Sequence, residues 1–97
     1  MAAEVVYSPE AETQLFELEE YLAVRFYPGN AEKYVQRIRK ACRNLVLLPD
    51  RGKNRDDIAP GIRMIGFERR VAIYYRLIEG QVNILGVHYG GYSSDIP

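Results

Sequence analysis

The side chains that could move a proton or stabilise a developing negative charge lie in the C-terminal third of this chain. His88 is the only histidine in the sequence, Tyr89 follows it directly, and Arg63 and Arg76 lie in two neighbouring predicted strands. Cleavage of RNA through its own 2′-hydroxyl needs a base for that proton, an acid for the leaving oxygen and cations for the phosphorane charge. If the chain is a nuclease, Arg63, His88 and Tyr89 are its candidate catalytic residues.

The composition argues against catalysis of this kind. The 13 basic residues are balanced by 13 acidic ones, so the formal net charge is zero, and Lys53 is the only lysine after Lys40. A neutral chain is a weak candidate for binding the phosphates of nucleic acid. One histidine and one cysteine at unrelated positions cannot form a zinc site, and nothing points to another cofactor. The inventory therefore favours a protein that acts by contact over an enzyme.

Each candidate side chain also has a purely structural interpretation. Arg63 could pair with an acid of the preceding loop, and Arg76 could be a structural cation stacked on the tyrosines beside it. His88 could simply be a polar residue at the end of a strand whose hydrogen bonds are satisfied there. Arg69 and Arg70 occupy a predicted hairpin turn, where solvated charge is the ordinary outcome. The functional and structural interpretations both stay open for these residues.

Length and hydropathy predict one domain that spans residues 1–97. No apolar run approaches the roughly 18 residues that a membrane span requires. The N-terminus shows no basic segment followed by an apolar one, and the single cysteine, Cys42, fits a reducing compartment and a small buried side chain. We therefore expect a cytoplasmic protein without membrane contact.

The N-terminal quarter predicts a strand and a helix. Residues 4–7 are apolar and β-branched enough for a strand, Ser8 can cap the following helix, and Pro9 suits its first position. The helix should run to about Arg25. Its buried stripe recurs at spacings of three and four residues: Ala11, Leu15, Leu18 and Leu22.

A second helix is predicted after Pro28-Gly29, which breaks the chain. Asn30 is its expected cap, Pro49 ends it, and residues 50–60 form a polar loop. Its inward stripe is Tyr34, Val35, Ile38, Ala41, Cys42 and Leu45. Acidic residues dominate the first helix and basic residues the second, which predicts antiparallel helices with complementary flanks. A basic face for nucleic acid or an acidic partner is the alternative.

The segment from Gly61 to Tyr92 predicts a meander of three strands. Residues 63–67, 71–77 and 81–87 are rich in branched and aromatic side chains. The turns between them are too short for a parallel return, so neighbouring strands must be antiparallel. The predicted fold class is α+β, in the order strand, helical hairpin, three-stranded antiparallel meander, with both helices packed on one face of the sheet.

Five short segments, taken together, resemble the RelE/ParE superfamily of bacterial toxins from type II toxin-antitoxin systems. They are Val6 to Ala11, Leu47-Leu48-Pro49, Pro60 to Arg63, Tyr74-Tyr75-Arg76 and Val82 to His88. Their joint order and spacing carry the resemblance over nearly the whole chain. The Val-x-His end of the last strand is similar to ParE-like sequences, whereas the tail after it lacks the arginines that usually follow.

The resemblance implies one of two activities. RelE-like members cut messenger RNA on the ribosome, and ParE-like members poison DNA gyrase without being nucleases. Because the nuclease inventory is poor, we expect a ParE-like toxin that inhibits bacterial growth through gyrase. A RelE-like, ribosome-dependent endoribonuclease is the first alternative, and a non-toxic regulatory binding module is the second.

The resemblance also implies partners. A cognate ParD-like or RelB-like antitoxin would wrap the toxin and neutralise it, and operator DNA would be bound only through that antitoxin. The candidates for contact with the cellular target are Arg63, Arg69, Arg70, Arg76, His88, Tyr89 and Tyr92. A sheet covered on one face leaves edges and a groove for an amphipathic helix and an extended segment. We expect Leu15, Leu22 and Tyr34 to be exposed there and to bind the antitoxin.

Overall fold

The computed structural model of this chain describes residues 4–90 and places a helical hairpin on one face of a five-stranded sheet. The elements are β1 (Glu4–Tyr7), α1 (Pro9–Arg25), α2 (Pro28–Asn44), a 3₁₀ turn (Pro49–Arg51), β2 (Lys53–Asn54), β3 (Arg63–Phe67), β4 (Val71–Ile78) and β5 (Gln81–Tyr89). The predicted α+β class, the meander and the one-sided helices are confirmed. Within the described part, no helix is long and apolar enough to cross a membrane.

The strand order is β1-β5-β4-β3-β2, and only the β1–β5 pair is parallel. A parallel neighbour requires a long connection, which the residues between β1 and β5 supply. The first strand therefore joins the far side of the meander and becomes an edge of the sheet. The sequence had predicted this strand without its place in the strand order.

Both predicted ends of the second helix are wrong. The helix begins at Pro28, with Tyr27 as a cap that makes no side-chain hydrogen bond, so Asn30 lies within the first turn. It ends at Asn44 and not at Pro49. Proline suits a first helical position, because its missing N–H is not needed there. The predicted polar loop also contains the 3₁₀ turn and the two-residue strand β2, which pairs with the start of β3.

The start of α1 is tied to the sheet through Ser8. The Ser8 hydroxyl accepts a hydrogen bond from the Ala11 N–H (3.0 Å) and donates one to the Leu85 carbonyl (3.3 Å). The Ser8 N–H donates to the Ile84 carbonyl at 3.0 Å. The predicted cap is thus confirmed, and the same residue fixes where the helix leaves the sheet.

A bulge in β5 lies next to this junction. The pairing of β4 with β5 shifts between Tyr74 and Tyr75, which leaves Leu85 as an extra residue. Beyond the bulge, the Val87 N–H donates to the Gln14 side-chain oxygen at 2.6 Å. The Gln14 side chain of α1 therefore supplies the hydrogen-bond acceptor for a backbone N–H of β5 that lies beyond the residues paired with β1.

The core lies between the helices and the sheet. It contains the predicted stripe of α1, most of that of α2, and the helix-facing side chains of β4 and β5. Cys42 is fully buried among them with a free thiol, as predicted, and burial raises its thiol pKa to about 11.

Tyr75 connects this core to the segment before β2. Its ring is fully buried, and its hydroxyl donates to the Pro49 carbonyl (2.7 Å) and accepts from the Gly52 N–H (2.8 Å). A Cβ at Gly52 would lie 2.5 Å from that hydroxyl, so only glycine fits this approach.

We expect Tyr75→Phe to lower the free energy of unfolding by about 1–3 kcal/mol, because two backbone groups lose their partner at a buried site. Urea unfolding followed by circular dichroism measures the loss. Tyr74→Phe is the matched control, since Tyr74 is only partly buried and points to the other face of the sheet. Equal stability of the Tyr75 variant and the wild type would show that the hydroxyl does not hold this segment.

Candidate functional site

The three candidate catalytic residues do not meet. Arg63 pairs with Tyr75, whose side chain faces the helices, whereas His88 pairs with Ala72 on the opposite side of the sheet. These two pairs are three positions apart along β4, or about 10 Å. Tyr89 follows His88 and therefore points to the helix side. No base, acid and cation converge on one reacting atom from this set.

Arg63 binds the loop that precedes β2. Its guanidinium donates to the Gly52 carbonyl at 2.8 Å and to the Asp50 carbonyl at 3.3 Å, and it lies 3.8 Å from the Asp50 carboxylate. These contacts match the structural interpretation of Arg63. Two of its acceptors are backbone carbonyls, which the sequence could not have indicated.

The face of the sheet opposite the helices carries His88 and Arg76. The His88 ring lies 5.1 Å from the Tyr74 ring, and the Arg55 guanidinium lies 5.9 Å from the same tyrosine. Asp57 binds Arg55 through two hydrogen bonds, so its charge is largely compensated. The Arg76 Nε is buried and makes no hydrogen bond within residues 4–90.

The turn between β3 and β4 carries the other predicted arginines. Glu68 and Arg69 have positive φ values of 51° and 60°, an uncommon conformation for residues with a side chain. Glu68 forms a bidentate ion pair with Arg37 of α2, with N–O distances of 3.0 Å. Arg70 lines a cavity beside this pair. Tyr92, the last predicted contact residue, lies outside the described residues.

Two cavities adjoin on the helix side of the sheet, and Tyr89 lines both. We call the surface that they form the aromatic groove. The first cavity measures about 380 Å³ and lies between α2 and the β3–β4 turn, and the second measures about 360 Å³ and lies against α1. The exposed aromatic and charged side chains that line the first cavity include Phe26, Lys33, Tyr34, Arg37, Glu68 and Arg70.

Stacked and edge-on rings build the walls of this groove. Tyr34 contacts Tyr89 and Phe67 edge-on, with ring centroids 6.2 and 5.7 Å apart, and Tyr21 lies 5.9 Å from Tyr89. The Arg37 guanidinium lies 5.1 Å from the Tyr34 ring. The groove therefore has aromatic walls. Its first cavity carries Lys33 and Arg70 beside the ion pair of Arg37 with Glu68, and its second cavity carries Glu17.

The hydroxyl of Tyr34 is buried and has no hydrogen-bond partner within the described part of the chain. Burial raises the pKa of Tyr34 to about 12, and the nearby Glu68 carboxylate adds to the shift. A buried polar group without a partner costs roughly 1–3 kcal/mol. A partner protein that brought an acceptor to this hydroxyl would recover part of that energy.

The predicted exposure of Leu15 and Leu22 is wrong. Their side chains are only 1% and 4% exposed, because the helical stripe is no wider than the core that covers it. Leu22 nevertheless lines the first cavity, as does Tyr34, which is partly exposed. The sequence analysis missed Phe26, which is 61% exposed at the rim. An apolar residue outside the stripe, next to the Pro28 break, was the available signal.

The family described as the ParE toxin of type II toxin-antitoxin systems, parDE, matches residues 5–91 of this chain. The chain belongs to the ParE toxin family. A solved structure described as the chromosomal ParDE TA system from P. aeruginosa shares its fold, with a TM-score of 0.79 and 22% sequence identity. The similarity covers 91% of this chain and 96% of that one. No curated protein matches the sequence.

Membership of the ParE family confirms the resemblance on its ParE side. The chain is thus a toxin of the type II toxin-antitoxin class, and its fold is that of a ParDE structure. The helix-side groove and the opposite sheet face are two separate surfaces of this toxin.

We expect Tyr34→Phe to keep or raise the stability of this ParE-family chain, because it removes a buried hydroxyl that lacks a partner. Its alkaline behaviour should also change. In the wild type the unfolded tyrosine ionises near pH 10 and the folded one near pH 12, so stability falls as the pH rises through this interval.

Urea unfolding at pH 7 and at pH 11 tests both points. The alkaline loss of stability should be smaller in Tyr34→Phe than in the wild type, and Tyr75→Phe serves as the variant that is destabilised at pH 7. A loss of more than about 1 kcal/mol at pH 7 in Tyr34→Phe would mean that its hydroxyl has a partner after all.

Proposed function

We propose that this toxin inhibits bacterial growth by poisoning DNA gyrase through protein–protein contact in the cytoplasm, and that a ParD-like antitoxin neutralises it. The observation that carries the proposal is the separation of Arg63, His88 and Tyr89 on two faces of the sheet. The lack of convergence of these three residues favours action by binding over cleavage by this set. The candidate target contacts remain the arginines of the β3–β4 turn, together with Arg76 and His88.

The charges of the chain support binding over phosphate chemistry. The formal net charge is zero, and Arg37, Arg39, Arg55 and Arg63 each form an ion pair with a carboxylate. Cations that are already paired give little additional attraction to a phosphate backbone. Contact with operator DNA, in this proposal, is made by the antitoxin and not by the toxin.

The aromatic groove is the proposed antitoxin site. An amphipathic helix fits such a groove with its apolar face, and aromatic side chains dominate binding energy at interfaces. Lys33 and Arg70, which line the first cavity beside the ion pair of Arg37 with Glu68, suit a helix that carries acidic residues beside its apolar face. Phe26 and Tyr34 are the expected anchors.

One observation favours a second function. On the open face of the sheet, His88 contacts Tyr74, and Arg76, two residues after Tyr74 on β4, has a buried Nε without a hydrogen-bond partner in residues 4–90. A histidine, a tyrosine and an arginine on one face are residue types that a ribosome-dependent nuclease could use. We keep a RelE-like endoribonuclease as the alternative, with His88 and Arg76 in place of the set predicted from the sequence.

Induced expression of the chain without a partner should arrest growth, cause DNA breaks and leave messenger RNA intact. Growth, DNA supercoiling and messenger integrity are measured together over the first hour. Rapid messenger cleavage would support the nuclease alternative. Unchanged growth with the protein present in folded form would support a non-toxic regulatory module.

Two variants sharpen this experiment. His88→Ala should abolish messenger cleavage if the chain is a nuclease, whereas loss of DNA breaks with messenger intact throughout would place His88 in the gyrase contact. Leu15→Asp introduces a charge into the core and should unfold the protein, so it gives the background of an inactive chain.

We expect Phe26→Ala to raise the Kd for the antitoxin of the same operon at least tenfold, about 1.4 kcal/mol, because it removes an exposed anchor at the rim of the groove. Phe16→Ala is the matched control. Phe16 is also on the helical hairpin and is 64% exposed, against 61% for Phe26, but it does not line the groove. Equal weakening by both substitutions would exclude the groove as the specific site. Isothermal titration calorimetry measures both affinities.

A further inference from the structure

The first cavity of the aromatic groove has residue types that also occur in sites for single-stranded nucleic acid. Three basic side chains, Lys33, Arg37 and Arg70, line it together with the rings of Phe26 and Tyr34. The Arg37 guanidinium lies 5.1 Å from the Tyr34 ring centroid. Proteins bind single strands without sequence preference by stacking bases on such rings beside cations. What the groove binds therefore depends on how far its cations are compensated.

Glu68 compensates one of these cations. The Arg37 Nη2 donates to both oxygens of the Glu68 carboxylate at 3.0 Å, and the Arg37 Nε donates to one of them at 3.2 Å. Among the described residues that line the first cavity, Glu68 is the only acid. Burial raises the pKa of Tyr34, and the charge of Glu68 raises it further, so the field of this carboxylate acts inside the groove. A phosphate that approached Arg37 would meet a carboxylate already bound there.

The ion pair of Glu68 with Arg37 contributes little to the stability of the fold. The side chains are 52% exposed in Arg37 and 45% exposed in Glu68, and ion pairs in such positions are screened by water and salt. The backbone of Glu68 has a φ of 51°, in a region that glycine occupies most easily. The main effect of the Glu68 carboxylate is therefore on the electrostatics of the groove.

We propose that Glu68 is a selectivity residue that keeps single-stranded nucleic acid out of the aromatic groove and leaves the groove to a protein partner. The carboxylate occupies Arg37 and repels phosphates from its surroundings, which is discrimination by a repulsive element. A protein can place single carboxylates at Lys33 and Arg70 and apolar groups beside Glu68, whereas a nucleic acid carries a negative charge at every nucleotide. The inference rests on the proposed function in taking the groove as a protein site.

Glu79 offers a matched control for this carboxylate. Glu68 and Glu79 each follow the last residue of a strand, and their φ values are 51° and 49°. Glu79 follows the C-terminal end of β4, whereas Glu68 precedes its N-terminal end, and Glu79 lines neither cavity of the groove. Glu68→Gln and Glu79→Gln therefore change the charge of the chain equally, and only the first releases Arg37.

Binding of a fluorescein-labelled DNA single strand of about 12 nucleotides to the free toxin tests the proposal. Fluorescence anisotropy at several salt concentrations measures the Kd. Glu68→Gln should bind the strand about tenfold more tightly than the wild type, and Glu79→Gln should bind it like the wild type. The slope of log K against log salt should steepen by about 0.7 in Glu68→Gln, the value for one additional phosphate contact on a single strand.

Two outcomes of this measurement would overturn the proposal. Absence of a gain in Glu68→Gln would show that the carboxylate excludes nothing. Equal gains in Glu68→Gln and Glu79→Gln would reduce the effect to the net charge of the chain.

Two further variants assign the gain to the released guanidinium. Glu68→Gly removes the same charge and relieves the backbone, so it should bind the strand like Glu68→Gln without loss of stability in urea unfolding. A gain in Glu68→Gln alone would come from its new amide donor and would overturn the proposal. The double variant Glu68→Gln/Arg37→Gln should lose the gain. A gain that persisted there would place the nucleic acid elsewhere on the chain and would also overturn it.

The antitoxin of the same operon separates this inference from the proposed function. Isothermal titration calorimetry with Glu68→Gln should give an affinity no weaker than that of the wild type, because the carboxylate excludes other ligands and does not hold this partner. A loss of about tenfold would make Glu68 an antitoxin contact and overturn its role in selectivity. Absence of any complex with the wild type would overturn the antitoxin partnership, whereas the measurement with the single strand needs no antitoxin and still decides the role of Glu68.

Discussion

The junction at Ser8 determines how the two layers of this protein meet. One residue caps α1, bonds the carbonyl of the bulged Leu85 and continues the parallel ladder with β5. Because α1 leaves the sheet at this fixed point, its Gln14 can reach the Val87 N–H beyond the bulge. The helical hairpin therefore has one position over the sheet, and the grooves on either side of it follow from that position.

The hairpin leaves a groove on each of its flanks. On one flank, aromatic rings around Tyr89 line a groove that also contains the ion pair between Arg37 and Glu68. On the other flank, Arg39 and Arg43 line a groove beside β1. The zero net charge of the chain is therefore unevenly distributed over its surface.

Local signals in the sequence were sufficient for much of the fold. Ser8 and Pro9 marked a helix start, and the short turns at residues 68–70 and 78–80 required antiparallel strands. The place of β1 beside β5 could not be predicted, because a parallel neighbour has no short turn to signal it. Asn30 has the residue type of a helix cap, but the helix already begins at Pro28, which suits a first helical position. The bulge at Leu85 could not be predicted either, because the residues around it have the composition of a regular strand.

The candidate site was harder to predict than the fold. Alternation alone puts His88 and Tyr89 on opposite faces, yet assigning Arg63 to a face requires the strand pairing. The stripe of α1 showed that Leu15 and Leu22 share a face, but not that the core fills it completely. Exposure of Phe26 and the pairing of Glu68 with Arg37 depend on contacts between distant segments, which a single sequence does not reveal.

The separation of the two sheet faces also bears on how such toxins diverge. Tyr74, His88 and Arg76 share the face that carries no helix. Amino-acid substitutions on this face therefore leave the interior and the helix-side groove largely unchanged. Substitutions on the open face can therefore change its chemistry while the helix-side groove stays the same. The two surfaces of this scaffold are free to vary at different rates.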